Sequence, residues 1–333
     1  MDKVAVIGAG SWGTTVASMA ARRAPTMLWA RRSELADSIN QSRVNSPYLP
    51  EVELPDTLTA TADLLEAASD AEVVVMAVPS HGFREVFTRI ATALPEDRIV
   101  VSLTKGIEQG TLATMTEVIF DVEPGANRDR VGVMTGPNLA SEIAAEQPTA
   151  TVVAMRDEDA AAALQQLFMH PTFRVYTNDD VTGCELGGAL KNVMAIASGM
   201  SDGLGFGDNT RATLLTRALA ELTRLGVALG GRPETFAGLA GMGDLIATCS
   251  SDRSRNHRVG FGLARGQTIE EITTEMRMVA EGVKTTKSVL GLAERTAVDM
   301  PIASHVDLVL EGRMSPKEAM LSLMTREAKA ESR

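Results

Sequence analysis

Val4-Ala5-Val6-Ile7-Gly8-Ala9-Gly10-Ser11-Trp12-Gly13 is the stretch that decides how this chain folds. Four apolar residues give a buried-strand signal, a G-x-G-x-x-G follows at once, and a helical stretch runs from Ser11 to about Arg22. The glycine pattern alone is weak, but directly after a strand and at the opening of a helix it marks a dinucleotide-binding turn. In such a turn Gly8 permits the tight bend, Gly10 lets the backbone approach a pyrophosphate, and Gly13 allows close helix–strand packing. The pyrophosphate would rest on the free amides of the helix N-terminus. The alternative is a glycine-rich turn with no ligand. Val4 to Ala21 carries no charge and loosely imitates a signal peptide or a membrane span, but its glycines, serines and threonines break the continuous apolar run that either would need.

Further along, Thr26-Met27-Leu28-Trp29, Glu72 to Val78, Arg98 to Leu103, Arg130 to Met134 and Ala150 to Ala154 read as strands, separated by helical segments. Continuous Val/Ile runs of this kind indicate a parallel sheet covered on both faces, the doubly wound α/β arrangement. From about Asp180 the pattern changes. Leu214, Leu215, Ala218, Leu219, Leu222 and Leu225 make an apolar helix stripe, and Glu270 to Met278, Lys284 to Arg295 and Pro316 to Met324 also read as helices. The expected organisation is a Rossmann-type dinucleotide-binding domain over 1–180, followed by an all-helical substrate-binding and catalytic domain over 181–333.

The length of 333 residues suits two such domains, and the 44% apolar and 23% charged content excludes disorder. A net charge of −11 disfavours a broad nucleic-acid or anionic membrane surface. Cys184 and Cys249 fit neither a zinc spacing nor a disulfide framework, so reduced thiols and a cytoplasmic location are expected.

Several clusters fall at strand ends or helix starts, where such a fold binds its ligands. After the second strand an NAD-specific fold usually places an acidic residue; here Arg31-Arg32 stand instead, and guanidinium groups suit a 2′-phosphate. NADPH is therefore expected to be accepted alongside NADH, unless the two arginines are merely solvated charges. Val78-Pro79-Ser80, Thr104-Lys105-Gly106 and Gly136-Pro137-Asn138-Leu139-Ala140 each follow a strand. Lys191 interrupts an apolar helix, which is costly for a cation without a partner or a function. Gly187, Gly188 and Ala195 beside it would leave room for a ligand; the bland reading is a snorkelling lysine. Ser254 could cap a helix opening at Arg255 and so aim amides and a guanidinium at one anion, although a solvated basic loop would look the same.

Taken in order, these pieces resemble the bacterial-type NAD(P)-dependent glycerol-3-phosphate dehydrogenases over essentially the whole chain. The segments that carry the likeness are Gly8 to Thr14, Asn45 to Pro50, Val78-Pro79-Ser80, Thr104-Lys105-Gly106, Gly136-Pro137, Lys191-Asn192-Val193 and Gly205 to Asn209. Gly238 to Leu245, Thr248-Cys249, Ser254-Arg255-Asn256, Glu281-Gly282 and Met300-Pro301-Ile302 complete the series. The resemblance implies reversible reduction of dihydroxyacetone phosphate to sn-glycerol 3-phosphate, which supplies glycerophospholipid synthesis; the cofactor carries the redox step, so no metal is required, and a homodimer is expected as the default for soluble oligomers. It implies that Lys191 carries the proton, that Asp244 holds the lysine or a substrate hydroxyl, and that Lys105 contacts substrate near the nicotinamide. Ser254, Arg255 and Asn256 would hold the substrate phosphate, with Gly136 and Asn138 in the same pocket. Ser11, Trp12, Arg31, Arg32, Lys105, Ala140, Arg255, Val279 and Glu281 would contact the cofactor. Asn138, Arg43 and Ala218 depart from the usual residues of that family.

The chemistry agrees independently. Hydride transfer to a ketone leaves negative charge on oxygen, which a nearby ammonium stabilises and protonates. A second cation, Lys105, would lower the pKa of Lys191. Two rival readings remain open on the sequence: a related dehydrogenase of hydroxy or keto acids, using Ser254-Arg255-Asn256 as a carboxylate clamp, and a silent NAD(P)H sensor, which need not keep Lys105, Lys191 and Asp244 together.

Overall fold

The structure, a computed structural model, describes residues 3–276, 280–328 and 330–331. Its strands are β1 (Val4–Ile7), β2 (Thr26–Trp29), β3 (Val44–Asn45), β4 (Leu49–Glu53), β5 (Leu58–Thr61), β6 (Val73–Met76), β7 (Ile99–Ser102), β8 (Val131–Thr135), β9 (Thr149–Ala154) and β10 (Phe173–Asn178). Eight of them form one sheet in the order β10-β9-β8-β7-β6-β1-β2-β5, while β3 and β4 pair as a separate antiparallel ribbon. Side chains along β1 alternate between two cores. Val4 and Val6 pack with Val16 and Ala20 of the helix Ser11–Ala21, and Ala5 and Ile7 pack with Phe83 and Phe87 of the helix Ser80–Ile90. Burial on both faces is what makes the strand sequence continuously apolar.

The doubly wound sheet expected from the sequence is present, with two differences. β8 and β9 run antiparallel, with Val133 opposite Ala154 and Thr135 opposite Val152. The sheet also extends to β5 and β10, and the ribbon is additional. β5 and β10 are edge strands: Phe173 and Val175 of β10 are buried while Arg174 and Tyr176 face solvent. Half-polar alternation of that kind does not read as a buried run.

After β10 the chain becomes helical. The helices Val181–Gly203, Asp208–Ala228, Glu281–Thr296 and Pro301–Leu310 share a third core around Leu190, Val193, Leu222, Val289 and Val306. Asp180 starts the long central helix by accepting from the Gly183 amide at 2.8 Å. Its other oxygen accepts from the Arg232 amide at 2.8 Å and from the Thr235 hydroxyl at 2.6 Å, which binds the helix start to its neighbour. The helix expected to reach Met278 spans Ile269–Met276, and Met278 lies outside the described residues. Among the described residues no helix is long and apolar enough to cross a membrane.

Candidate active site

The glycine turn is built as its sequence suggests. Gly8 has φ of 128°, and a Cβ there would sit 2.6 Å from the Ala77 carbonyl oxygen of the neighbouring strand end. A Cβ at Gly13 would lie 2.0 Å from the Gly8 oxygen, whereas one at Gly10 would meet nothing within 4 Å. The first and third glycines therefore serve close packing, and the second borders open space. The first intrahelical bond is made by the Thr14 amide to the Gly10 carbonyl at 2.9 Å, so the Ser11, Trp12 and Gly13 amides precede the helical ladder. Gly10 caps the helix without a side chain. An open approach, unladdered amides and an unshielded helix end fit a dinucleotide pyrophosphate.

The ribbon braces this turn. The Asn45 amide nitrogen donates to the Ala9 carbonyl at 3.0 Å and to the Thr14 hydroxyl at 2.7 Å, and Ser11 Oγ donates to the Tyr48 carbonyl at 2.8 Å. Asn45 is fully buried; it opens one of the segments that carry the family likeness, but its role as a brace for the turn shows only in the fold. Ala140 is brought to the same place by its carbonyl, which accepts from Thr15 Oγ1 at 3.5 Å. Arg31 and Arg32 follow β2 and are exposed, with Arg32 at the N-cap of the helix Ser33–Ser42. Glu281 opens the helix Glu281–Thr296 and accepts from the Ser80 amide at 3.2 Å and the Ser80 hydroxyl at 2.5 Å, which places it at the end of β6. Val279 lies outside the described residues.

The second cluster gathers residues far apart in sequence. Asp244, buried, receives two lysines: Lys105 Nζ donates to its Oδ2 at 2.6 Å, and Lys191 Nζ lies 3.0 Å from its Oδ1. Lys105 also donates to the Gly136 carbonyl at 2.9 Å. Lys191 donates in addition to Thr248 Oγ1, which itself donates to Asp244 Oδ1 at 3.2 Å. Asp244 and Thr248 lie four apart on the helix Asp244–Cys249 and so share one face. Thr248-Cys249 is among the segments that carry the family likeness, but only the fold shows that Thr248 joins the lysine site. One buried and one partly buried ammonium group on a single carboxylate leave a net positive charge, a place prepared for developing negative charge. Burial pushes the Lys105 ammonium down to about 8; Asp244 opposes that shift and the neighbouring Lys191 charge adds to it.

The small residues beside Lys191 do something other than expected. A Cβ at Gly188 would lie 2.7 Å from Thr135 Oγ1 and 3.4 Å from the Lys105 side chain, and one at Gly187 would lie 2.6 Å from the Ala240 carbonyl oxygen. The space they leave is taken by the Thr135 hydroxyl and the Ala240 backbone.

Ser254 caps the helix Arg255–Ala264, accepting from the His257 amide at 3.3 Å, and Arg255 stands exposed at its first position. Asn256 points inward instead: its Nδ2 donates to Asn192 Oδ1 at 2.9 Å and its Oδ1 accepts from the Gly282 amide at 2.9 Å. Asn192 in turn donates to the Lys105 carbonyl at 2.9 Å. This chain of amides fixes the Lys105 loop against two helix starts. Asn138 donates to Thr151 Oγ1 at 2.9 Å, and its own Oδ1 is buried without a protein partner. Arg43 lies away from the lysines, donating to the Leu58 carbonyl at 2.8 Å and the Leu54 carbonyl at 3.3 Å. Ala218 is buried in the helical core.

Comparison with known proteins bears on both clusters. The family described as NAD-dependent glycerol-3-phosphate dehydrogenase N-terminus matches residues 3–161, and that described as NAD-dependent glycerol-3-phosphate dehydrogenase C-terminus matches 180–321. A glycerol-3-phosphate dehydrogenase (NAD(P)+) 2 of Sphingopyxis alaskensis is 54% identical over 97% of this chain and 96% of its own. A glycerol-3-phosphate dehydrogenase (NAD(P)+) of Streptomyces coelicolor is 51% identical over 99% of this chain and 98% of its own. The crystal structure of a glycerol-3-phosphate dehydrogenase from Coxiella burnetii superposes with a TM-score of 0.92 at 38% identity, covering 98% of this chain and 99% of that one.

Proposed function

This chain belongs to the NAD-dependent glycerol-3-phosphate dehydrogenase family, and from that premise we propose that it reduces dihydroxyacetone phosphate to sn-glycerol 3-phosphate, reversibly, with NADPH or NADH. The observation that carries the reading is the buried Asp244 shared by Lys105 and Lys191 beside the end of β8. The nicotinamide, when bound, supplies or accepts the hydride. The Gly8–Gly13 turn and the Ser11 and Trp12 amides hold its pyrophosphate, Arg31 and Arg32 take a 2′-phosphate, and Ala140 and Glu281 border the same groove.

Lys191 Nζ delivers a proton to the carbonyl oxygen in reduction and removes it in oxidation. Asp244 keeps that ammonium in place, and Lys105 adds a second positive charge where oxygen becomes negative. Ser254 and Arg255 hold the substrate phosphate, and Gly136 and Asn138 border its carbon end. Asn256 is assigned to the same clamp, with its amide also serving as a strut between helices. Fixing the phosphate sets the carbonyl near the lysines and removes much of the entropic barrier.

In this reading residues 1–180 bind the dinucleotide and 181–333 carry the substrate and the proton. The protein acts as a homodimer in the cytoplasm and supplies glycerol 3-phosphate for glycerophospholipid synthesis. Exposed Leu321 and Met324 at the C-terminal helix support self-association. The direct test is an absorbance assay of NADPH oxidation with dihydroxyacetone phosphate, alongside hydroxy- and keto-acid substrates. Turnover confined to the acids would reject the assignment. Sedimentation would show the dimer, and a monomer at micromolar concentration would remove that part.

A further inference from the structure

A second polar site lies away from the lysines, between the sheet and the helices. It is a cavity of about 190 Å³ whose floor includes Phe120, Leu186 and Leu292. Arg128, Arg156 and Arg295 line it. Val131, at the start of β8, also borders it, whereas Gly136 at the other end of that strand meets Lys105. At about 3.3 Å per residue the two sites are roughly 15 Å apart.

All three arginines are exposed, so their heads stand at the rim. Arg128 stacks over the Phe120 ring, 4.2 Å from its centroid. Arg156 and Arg295 make no hydrogen bond or ion pair with any described residue. In a chain of net charge −11, acidic partners are not scarce. Glu117 is the one carboxylate on the lining among the described residues, and it is occupied by the Thr114 amide at 2.8 Å in a capping box. Behind the wall Glu185 is buried on the Thr116 amide at 3.0 Å, and burial raises its pKa, towards the neutral acid. Three cations and one carboxylate leave the lining with a net positive charge that an anion would balance. Guanidinium groups are the donors best shaped for oxyanions.

We propose that this cavity is a binding site for a small oxyanion carried on an apolar body, a phosphate monoester or a carboxylate, separate from the substrate site. Its volume is below the roughly 300–1,000 Å³ of pockets for drug-sized ligands, so the ligand is small. The apolar floor takes the body, and the arginines at the rim take the charged head.

Calorimetric titration of the full chain with phenyl phosphate and with benzoate tests this. The measurement is made on the wild type, on an Arg156→Gln/Arg295→Gln double variant and on Arg255→Ala, with thermal melts to confirm folding. The two arginines have no protein partners, so the double variant should melt like the wild type. The site predicts saturable binding of at least one probe, unchanged in Arg255→Ala and about tenfold weaker or more in the double variant. Tighter phenyl phosphate would identify a phosphate ligand, and tighter benzoate a carboxylate. The proposal is overturned if neither probe binds at millimolar concentration. It is equally overturned if binding disappears with Arg255 and survives in the double variant.

Discussion

The glycine turn at Gly8–Gly13 and the lysine pair on Asp244 are both polar sites in an apolar frame, built in opposite ways. The turn is local in sequence. Its groups are backbone amides set at an uncapped helix end, beside a position where a side chain would meet nothing within 4 Å. The lysine site joins segments near 105, 191 and 244, and its charged groups are buried or partly buried and already paired with one another. The difference teaches how each can work. Amides with no partner can bind a ligand strongly but give up no proton at neutral pH. A carboxylate between two ammonium groups holds charge and protons where water is scarce.

If that division is right, substitutions in the two regions should fail differently. The largest effect is expected for Asp244→Ala. Removing the shared carboxylate strands one buried and one partly buried ammonium group, and breaking a buried pair costs about 3–5 kcal/mol. Denaturant unfolding should show a loss of that order, smaller above pH 8, where Lys105 sheds its proton and its charge. An unchanged unfolding midpoint would break the comparison at its base.

Next comes Arg255→Ala, at the mouth of the second region. A lost charged hydrogen bond is worth about 1.5–3 kcal/mol, so kcat/KM for dihydroxyacetone phosphate should fall at least tenfold. Unphosphorylated dihydroxyacetone should be little affected. Equal losses would make Arg255 structural.

The pH profile sharpens the contrast further. Lys105, with a pKa of about 8, is protonated below that pH and neutral above it. Ketone reduction and alcohol oxidation should both hold below pH 8 and decline above it, as the positive charge that Lys105 puts beside the reacting oxygen is lost. In Lys105→Met that limb should be gone. A limb near 8 that persists in Lys105→Met would assign it to another group. Smallest is the double change Arg31→Ala/Arg32→Ala in the first region, which should weaken NADPH binding while leaving NADH and kcat nearly unchanged. Equal weakening of both cofactors would show that these arginines do not read the 2′-phosphate.

The two regions also differ in how far sequence reaches them. Gly8, Gly10 and Gly13 are fixed by steric rules that act over a few residues, so strand, turn and helix were readable together. Lys191 stood out because a cation in an apolar helix needs a reason, and Ser254 because a hydroxyl before a helical run caps it. Lys105 was marked by its place just after a strand, and the likeness to a known family gave Lys105 and Asp244 their roles. What stayed hidden depends on contacts between distant segments. Asn45 looks like any loop asparagine until the ribbon lays it under the Ala9 carbonyl. Gly188 gives no sign that it makes room for the Thr135 hydroxyl beside the Lys105 side chain. The antiparallel turn from β8 to β9 and the edge strand β10 escaped because a run of apolar residues carries no direction, and an edge strand shows one apolar face only.

The central claim is that the turn binds and the lysine pair transfers the proton. It is tested most directly by measuring kcat and the NADPH dissociation constant side by side for Lys191→Met. Methionine keeps the length of the side chain and removes its charge. General acid–base catalysis contributes about 10²–10⁴-fold, so kcat should drop at least a hundredfold while NADPH binds as in the wild type. A variant that keeps more than about a tenth of wild-type kcat, or loses NADPH binding in step with kcat, would contradict the account.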